Sequence, residues 1–150
     1  MADQMVEVRF GGEQTEYLAL SVRGRAYRQS SDYWDGNWLL VTAVIHVGKF
    51  SGQIPGMLRA EEIQLFTQQL QAFRQSLKGM VSFETAEEWL HFHIEADKLG
   101  KIEISGTLSD DVSYPYNSLK FTLTTDPSFL DAPLKQLQTV TQAFPIVGRT

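Results

Sequence analysis

The residues whose types and spacing come nearest to a chemical site lie in the segment HFHIE. His91, His93 and Glu95 alternate along an expected strand, so their side chains share one face at steps of roughly 6.5 to 7 Å. Two imidazoles and a carboxylate are donors that hold a divalent cation, and His46 would supply a third imidazole. All three histidines lie at or before His93, so no later histidine segment completes a ligand set. In the plainer reading Leu90, Phe92 and Ile94 form the core face, and the histidine face meets solvent. That reading is preferred, and no metal or other cofactor is expected.

A second concentration of side chains is the stretch YWDGNWL, in which Tyr33, Trp34, Asp35, Asn37 and Trp38 surround Gly36. Asp-Gly is a preferred central pair of a type I′ hairpin turn, because both positions must tolerate positive φ. As a two-residue turn, Asp35-Gly36 sets Trp34 opposite Asn37 and Tyr33 opposite Trp38. As a three-residue loop from Asp35 to Asn37, it sets Trp34 opposite Trp38. Either form gives a cross-strand aromatic contact contributing roughly 0.2–1 kcal/mol. The motif therefore reads first as a structural hairpin. It is also a candidate contact surface, either for a protein partner or for a sugar stacked on Tyr33, Trp34 and Trp38.

Other chemistries find no support. There is no Gly-x-Ser-x-Gly elbow and no phosphate-cradling Gly-x-x-x-x-Gly-Lys-Ser/Thr loop. The adjacent carboxylates Glu61/Glu62, Glu87/Glu88 and Asp110/Asp111 point apart on a strand or into solvent in a loop, which is no arrangement for general acid–base work. The chain contains no cysteine, so disulfides and thiolate chemistry are excluded. A net charge of −5 without a Lys/Arg-rich run argues against nucleic acid and favours a basic protein partner. No apolar run approaches the ~18 residues of a membrane helix, so no membrane association is expected. The N-terminus lacks the pattern of a secretory signal, and a cytoplasmic location is expected.

The elements that must position these residues follow from periodicity. A length of 150 residues with 43% hydrophobic content fits one α+β domain. Val6, Val8 and Phe10 share a strand face before a Gly11-Gly12 turn, and Leu18, Leu20 and Val22 share another. The run from Trp38 to Gly48 is mostly apolar on both faces and reads as a central strand covered on both sides, at least in part. Gly48, Gly52, Pro55 and Gly56 are expected to break the following segment into short extended pieces. Ile63, Phe66, Leu70, Phe73 and Leu77 step by three and four, which predicts a long central helix closed by Gly79. Alternating runs follow at Leu90–Ala96, Ile102–Leu108 and Leu119–Leu123. Asp126-Pro127 then opens a C-terminal helical region carrying Leu134, Leu137, Val140 and Phe144, which Pro145 ends. The expected architecture is a mainly antiparallel sheet of seven or eight strands with one long central helix and a C-terminal helix. No internal repeat is visible.

The stretch DYWDGNWL, the apolar strand and glycine-containing segment after it, and the helix LRAEEIQLFTQQLQAF together resemble a set of small bacterial proteins that includes the WapI-type immunity proteins. WLHFHIEAD, GKIEISGTL, SLKFTLTTD, SFLDAPLKQLQ and FPIVG continue the likeness from about Asp32 to the C-terminus. The Trp-Asp-Gly-Asn-Trp core is its most specific element. The resemblance implies a non-enzymatic protein that binds and neutralises a toxin's effector domain inside the producing cell. It brings no catalytic residues with it.

Overall fold

Apolar residues at every second position make each strand one-sided, and the structure stacks those sides into two sheets. In the computed structural model, which describes residues 5–11, 16–113 and 116–150, the chain runs through β1 (Val6–Gly11), β2 (Tyr17–Arg25), a four-residue helical turn α1 (Tyr33–Gly36), β3 (Trp38–Val47), β4 (Phe50–Arg59) and helix α2 (Ala60–Ser76). It continues through β5 (Met80–Glu84), β6 (Leu90–Ala96), β7 (Ile102–Ser109), β8 (Ser118–Thr125), a 3-10 turn (Pro127–Leu130) and helix α3 (Asp131–Ala143). Every strand pairs antiparallel with its sequence neighbour inside its own sheet. The result is not the one sheet expected but two four-stranded meanders, β1-β2-β3-β4 and β5-β6-β7-β8. The physical reason is α2, which separates β4 from β5 so that each half closes on its own hairpins. Gly12 of the expected Gly11-Gly12 turn, and Tyr114 and Pro115 of the loop before β8, lie outside the described residues.

Each meander ends in a helix, and the helices are exchanged. α2, which follows the first sheet, packs on β5 of the second, while α3 packs on β1 of the first. The structure thus has a repeat that the sequence does not display. Between the layers Phe10, Phe66, Phe83 and Phe92 meet edge to face or tilted, with ring centroids 5.0 to 6.2 Å apart. These four rings come from β1, α2, β5 and β6. Burying each contributes roughly 1.5–3 kcal/mol, and the edge-to-face geometry adds to it.

Three local expectations are revised. β3 is interior to its sheet and buries Leu39, Val41, Ala43, Ile45 and Val47, but its other face stays partly open, with Leu40 exposed. β4 is one continuous strand despite Gly52, Pro55 and Gly56. It is an edge strand, where a missing proline N–H costs no ladder bond. Gly56 also leaves room for Trp89, whose ring would lie 2.4 Å from an added Cβ, and Trp89 Nε1 donates to the Met57 carbonyl at 2.9 Å. Finally, Leu77 rather than Gly79 ends α2, in a left-handed conformation with φ 54°.

Candidate functional site

The YWDGNWL segment is not a hairpin. Asp32 has extended backbone, and its carboxylate accepts from the N–H groups of Trp34 and Asp35 at 2.9 and 3.1 Å. That is N-cap chemistry, and it winds Tyr33–Gly36 into one helical turn. The type I′ turn fails because Asp32 offers those N–H groups a helical partner. Gly36 does not have positive φ; its role is space. A Cβ there would lie 2.7 Å from the Val147 side chain and 2.8 Å from the Ser30 carbonyl.

The turn is fastened from three directions. Asn37 is 0% exposed, and its amide donates to the carbonyls of Tyr33 (3.0 Å) and Val147 (2.9 Å). Its Oδ1 accepts from Val147 N–H at 2.9 Å. Arg59, 7% exposed at the end of β4, donates from its two terminal nitrogens to the carbonyls of Trp34 and Tyr33, both at 2.8 Å. Its guanidinium lies over the rings of Trp38 (4.9 Å) and Tyr33 (5.3 Å) and pairs with the Glu61 carboxylate. Arg25 donates to the Gly36 carbonyl at 2.7 Å and also to the Pro145 carbonyl. The C-terminal FPIVG tail is thereby laced to the turn. Gly148, with φ 70°, passes so close that a Cβ would meet Tyr33 N at 2.5 Å.

The start of α2 belongs to the same knot. Glu62 accepts from Arg59 N–H (2.7 Å) and from Ala86 N–H (2.6 Å), which caps the helix and ties it to the turn that follows β5. Burial pushes the Glu62 carboxyl above its ordinary range. The bonds from Arg59 and Ala86 oppose that shift, and the neighbouring Glu61 carboxylate adds to it.

This network sorts the candidate contact residues. Asn37 and Gly36 are buried, and Tyr33 and Trp38 are half-buried. The Tyr33 hydroxyl donates to Glu61 at 3.2 Å, and Trp38 faces Arg59 across β3 and β4 rather than an aromatic partner across a hairpin. Asp35 is exposed, and Trp34 is 62% exposed. The Trp34 ring meets Tyr33 edge to face at 88°, so the two do not present a single flat stacking surface. Sequence reasoning did not single out Arg25, Arg59 or Val147. A lone arginine ending an apolar strand, as in GMLR, is the signal that marks Arg59, because a charge there must find buried partners.

The histidines fall on different sheets. His46, on β3, stacks its ring nearly parallel to Tyr17 at 6.2 Å, and the Arg9 guanidinium lies over the Tyr17 ring at 3.8 Å. His91, His93 and Glu95 share the outward face of β6, beside Thr107, Ser105 and Glu103 of β7. Among the described residues no three His, Asp or Glu side chains converge as a metal site.

Set against known proteins, residues 9–145 match the model of the WapI-like immunity protein family. The chain belongs to that family. Comparison with curated proteins finds no significant match. Among solved structures it is similar to the MRP1/MRP2 proteins of Trypanosoma, at 13% identity and a TM-score of 0.45, covering 94% of this chain and 83% of that one. It is similar also to a guide-RNA-binding protein complex bound to a gRNA, at 13% identity and TM-score 0.45, covering 94% and 89%. Both scores are too low to bear on binding or function. Among the described residues no helix is long and apolar enough to cross a membrane.

Proposed function

We propose that this chain is a non-catalytic, cytoplasmic immunity protein that binds and neutralises the effector domain of a toxin, with Trp34 at the centre of its contact surface. The observation that carries the reading is the contrast between the exposed and the fastened residues at the YWDGNWL turn. Gly36, Asn37 and Arg59 are consumed by internal packing and hydrogen bonds, while the Trp34 indole stands 62% exposed on a backbone they hold rigid. A large aromatic held in a fixed place loses little entropy on binding, which is why tryptophan dominates protein interfaces. The net charge of −5 favours a basic partner domain by speeding encounter and suppressing acidic competitors.

Sugar binding by Tyr33, Trp34 and Trp38 receives less support, because the first two rings are perpendicular and the third lies under Arg59. The test of the leading reading is binding of the purified chain to toxin domains encoded beside its gene, with toxin activity followed in parallel. The expected result is a stoichiometric complex in which the toxin is silent. A panel of such domains that neither bind nor lose activity would overturn it.

A further inference from the structure

Four strands lie at the edges of the two sheets, and an edge strand offers unpaired backbone groups to any other extended chain. Three of these edges carry a recognisable safeguard. On β1, Gln136 of α3 reaches across and accepts the Arg9 N–H at 2.8 Å. On β4, Pro55 removes a donor from the middle of the strand. β8 shows solvent the polar row Ser118, Lys120, Thr122 and Thr124.

β5 is different, and the exchanged-helix arrangement makes the difference legible. α2 lies on β5 as α3 lies on β1, yet among the described residues no α2 side chain bonds the β5 backbone, and Glu62 reaches past the strand to Ala86. Between α2 and β5 runs an open groove of about 710 Å³. Leu65 (56% exposed) and Met80 (57% exposed) stand at its walls, and Phe66 and Phe83 lie beneath. Glu84 marks one end and Lys78 the other.

We propose that the β5 edge and its groove accept an extended segment of the protein partner as an added strand, with apolar side chains on the α2 side toward Leu65 and basic ones on the opposite face, which carries Met80 and Glu84. This deepens the partner-binding reading above and rests on it. Backbone pairing on the edge supplies the register, and side chains at every second position supply selectivity. The chemistry of the groove favours such a partner over a second copy of this chain. Joining two copies through β5 brings together two chains of net charge −5 and lays the Glu84 carboxylate near an apolar Met80.

The probe is a synthetic peptide of alternating lysine and valine, followed by amide chemical shifts of the labelled chain. The proposal expects shifts confined to α2 and β5. It expects affinity to fall at least about tenfold for the glutamate–valine analogue, for a peptide N-methylated along one backbone edge, and for the variants Leu65→Arg and Met80→Arg. Both substituted positions are exposed, so the variants keep the fold, which circular dichroism checks. Equal binding by the N-methylated peptide, shifts on other faces, no binding up to about 1 mM, or a dimer that Met80→Arg dissolves would each overturn it. The same variants, tried against a neighbouring toxin domain that the wild type binds, separate the two claims. Undiminished toxin binding removes the groove and leaves the immunity reading, whereas a wild type that binds no toxin removes the immunity reading and leaves the peptide result to decide the groove.

Discussion

Asn37 and Val147, 110 positions apart, exchange two hydrogen bonds of 2.9 Å, the amide of one closing on both backbone groups of the other. The pairing leaves one amide orientation, since Oδ1 must meet the N–H and Nδ2 the carbonyl. It makes the C-terminal tail part of the turn that carries Trp34.

Removing that amide should therefore loosen both segments. Asn37→Ala deletes three bonds at a fully buried position, and the expected loss is roughly 2–4 kcal/mol in urea unfolding. Asn37→Asp should cost more at neutral pH, because a carboxylate faces the carbonyls of Tyr33 and Val147. Lowering the pH should recover part of that loss, since a protonated acid donates again. A variant as stable as the wild type would remove the latch from the account.

Arg59→Lys tests the forked contact. A lysine cannot reach both the Tyr33 and Trp34 carbonyls with the geometry of a guanidinium. It leaves Glu61 poorly paired in a half-buried place, and a loss of roughly 2–4 kcal/mol is expected from thermal or urea unfolding.

The glycines make a sharper steric test. Gly36→Ala presses a methyl against the Val147 side chain and the Ser30 carbonyl, Gly56→Ala presses one against the buried Trp89 indole, and each should cost about 1–3 kcal/mol by urea unfolding. Gly56→Ala should also shift the fluorescence of Trp89, which lies against it.

Two carboxyls should have midpoints displaced in opposite directions. Asp131 lies below the usual range, chiefly because the Arg74 guanidinium bonds it at 2.8 Å. Its contribution is present above the unfolded value near 3.8 and is lost as the pH falls through the lower folded value. Glu62 is raised by burial, so the folded chain holds its proton more tightly, and ionising it costs stability as the pH rises from 4.5 through the folded value. Carboxyl NMR titration should show Arg74→Gln moving Asp131 upward and Glu61→Gln moving Glu62 downward. Unmoved midpoints would contradict these assignments.

Strand faces and helix stripes were legible because period two and period 3.6 are local properties. Val6, Val8 and Phe10 and the stripe residues Ile63, Phe66, Leu70 and Phe73 are buried as their spacing requires, while Leu77, the last of the expected stripe, caps α2 and is only partly buried. The division into two sheets was not legible, since pairing partners depend on where α2 sends the chain. The turn at Asp35-Gly36 was misread for a related reason. The Asp-Gly pair suits a hairpin by itself, but Asp32, three residues earlier, captures the Trp34 and Asp35 N–H groups and winds them into a helical turn. The tail contact through Val147 had no local signal at all.

The central claim is that the YWDGNWL turn is an internal knot holding one exposed indole out for a partner. Trp34→Ala measures it most directly, by calorimetric titration against a neighbouring toxin domain that the wild type binds, alongside urea unfolding. The account predicts an unfolding free energy within about 0.5 kcal/mol of wild type and a binding loss of at least about 2 kcal/mol, roughly thirtyfold in affinity. Wild-type affinity with Trp34→Ala would contradict it.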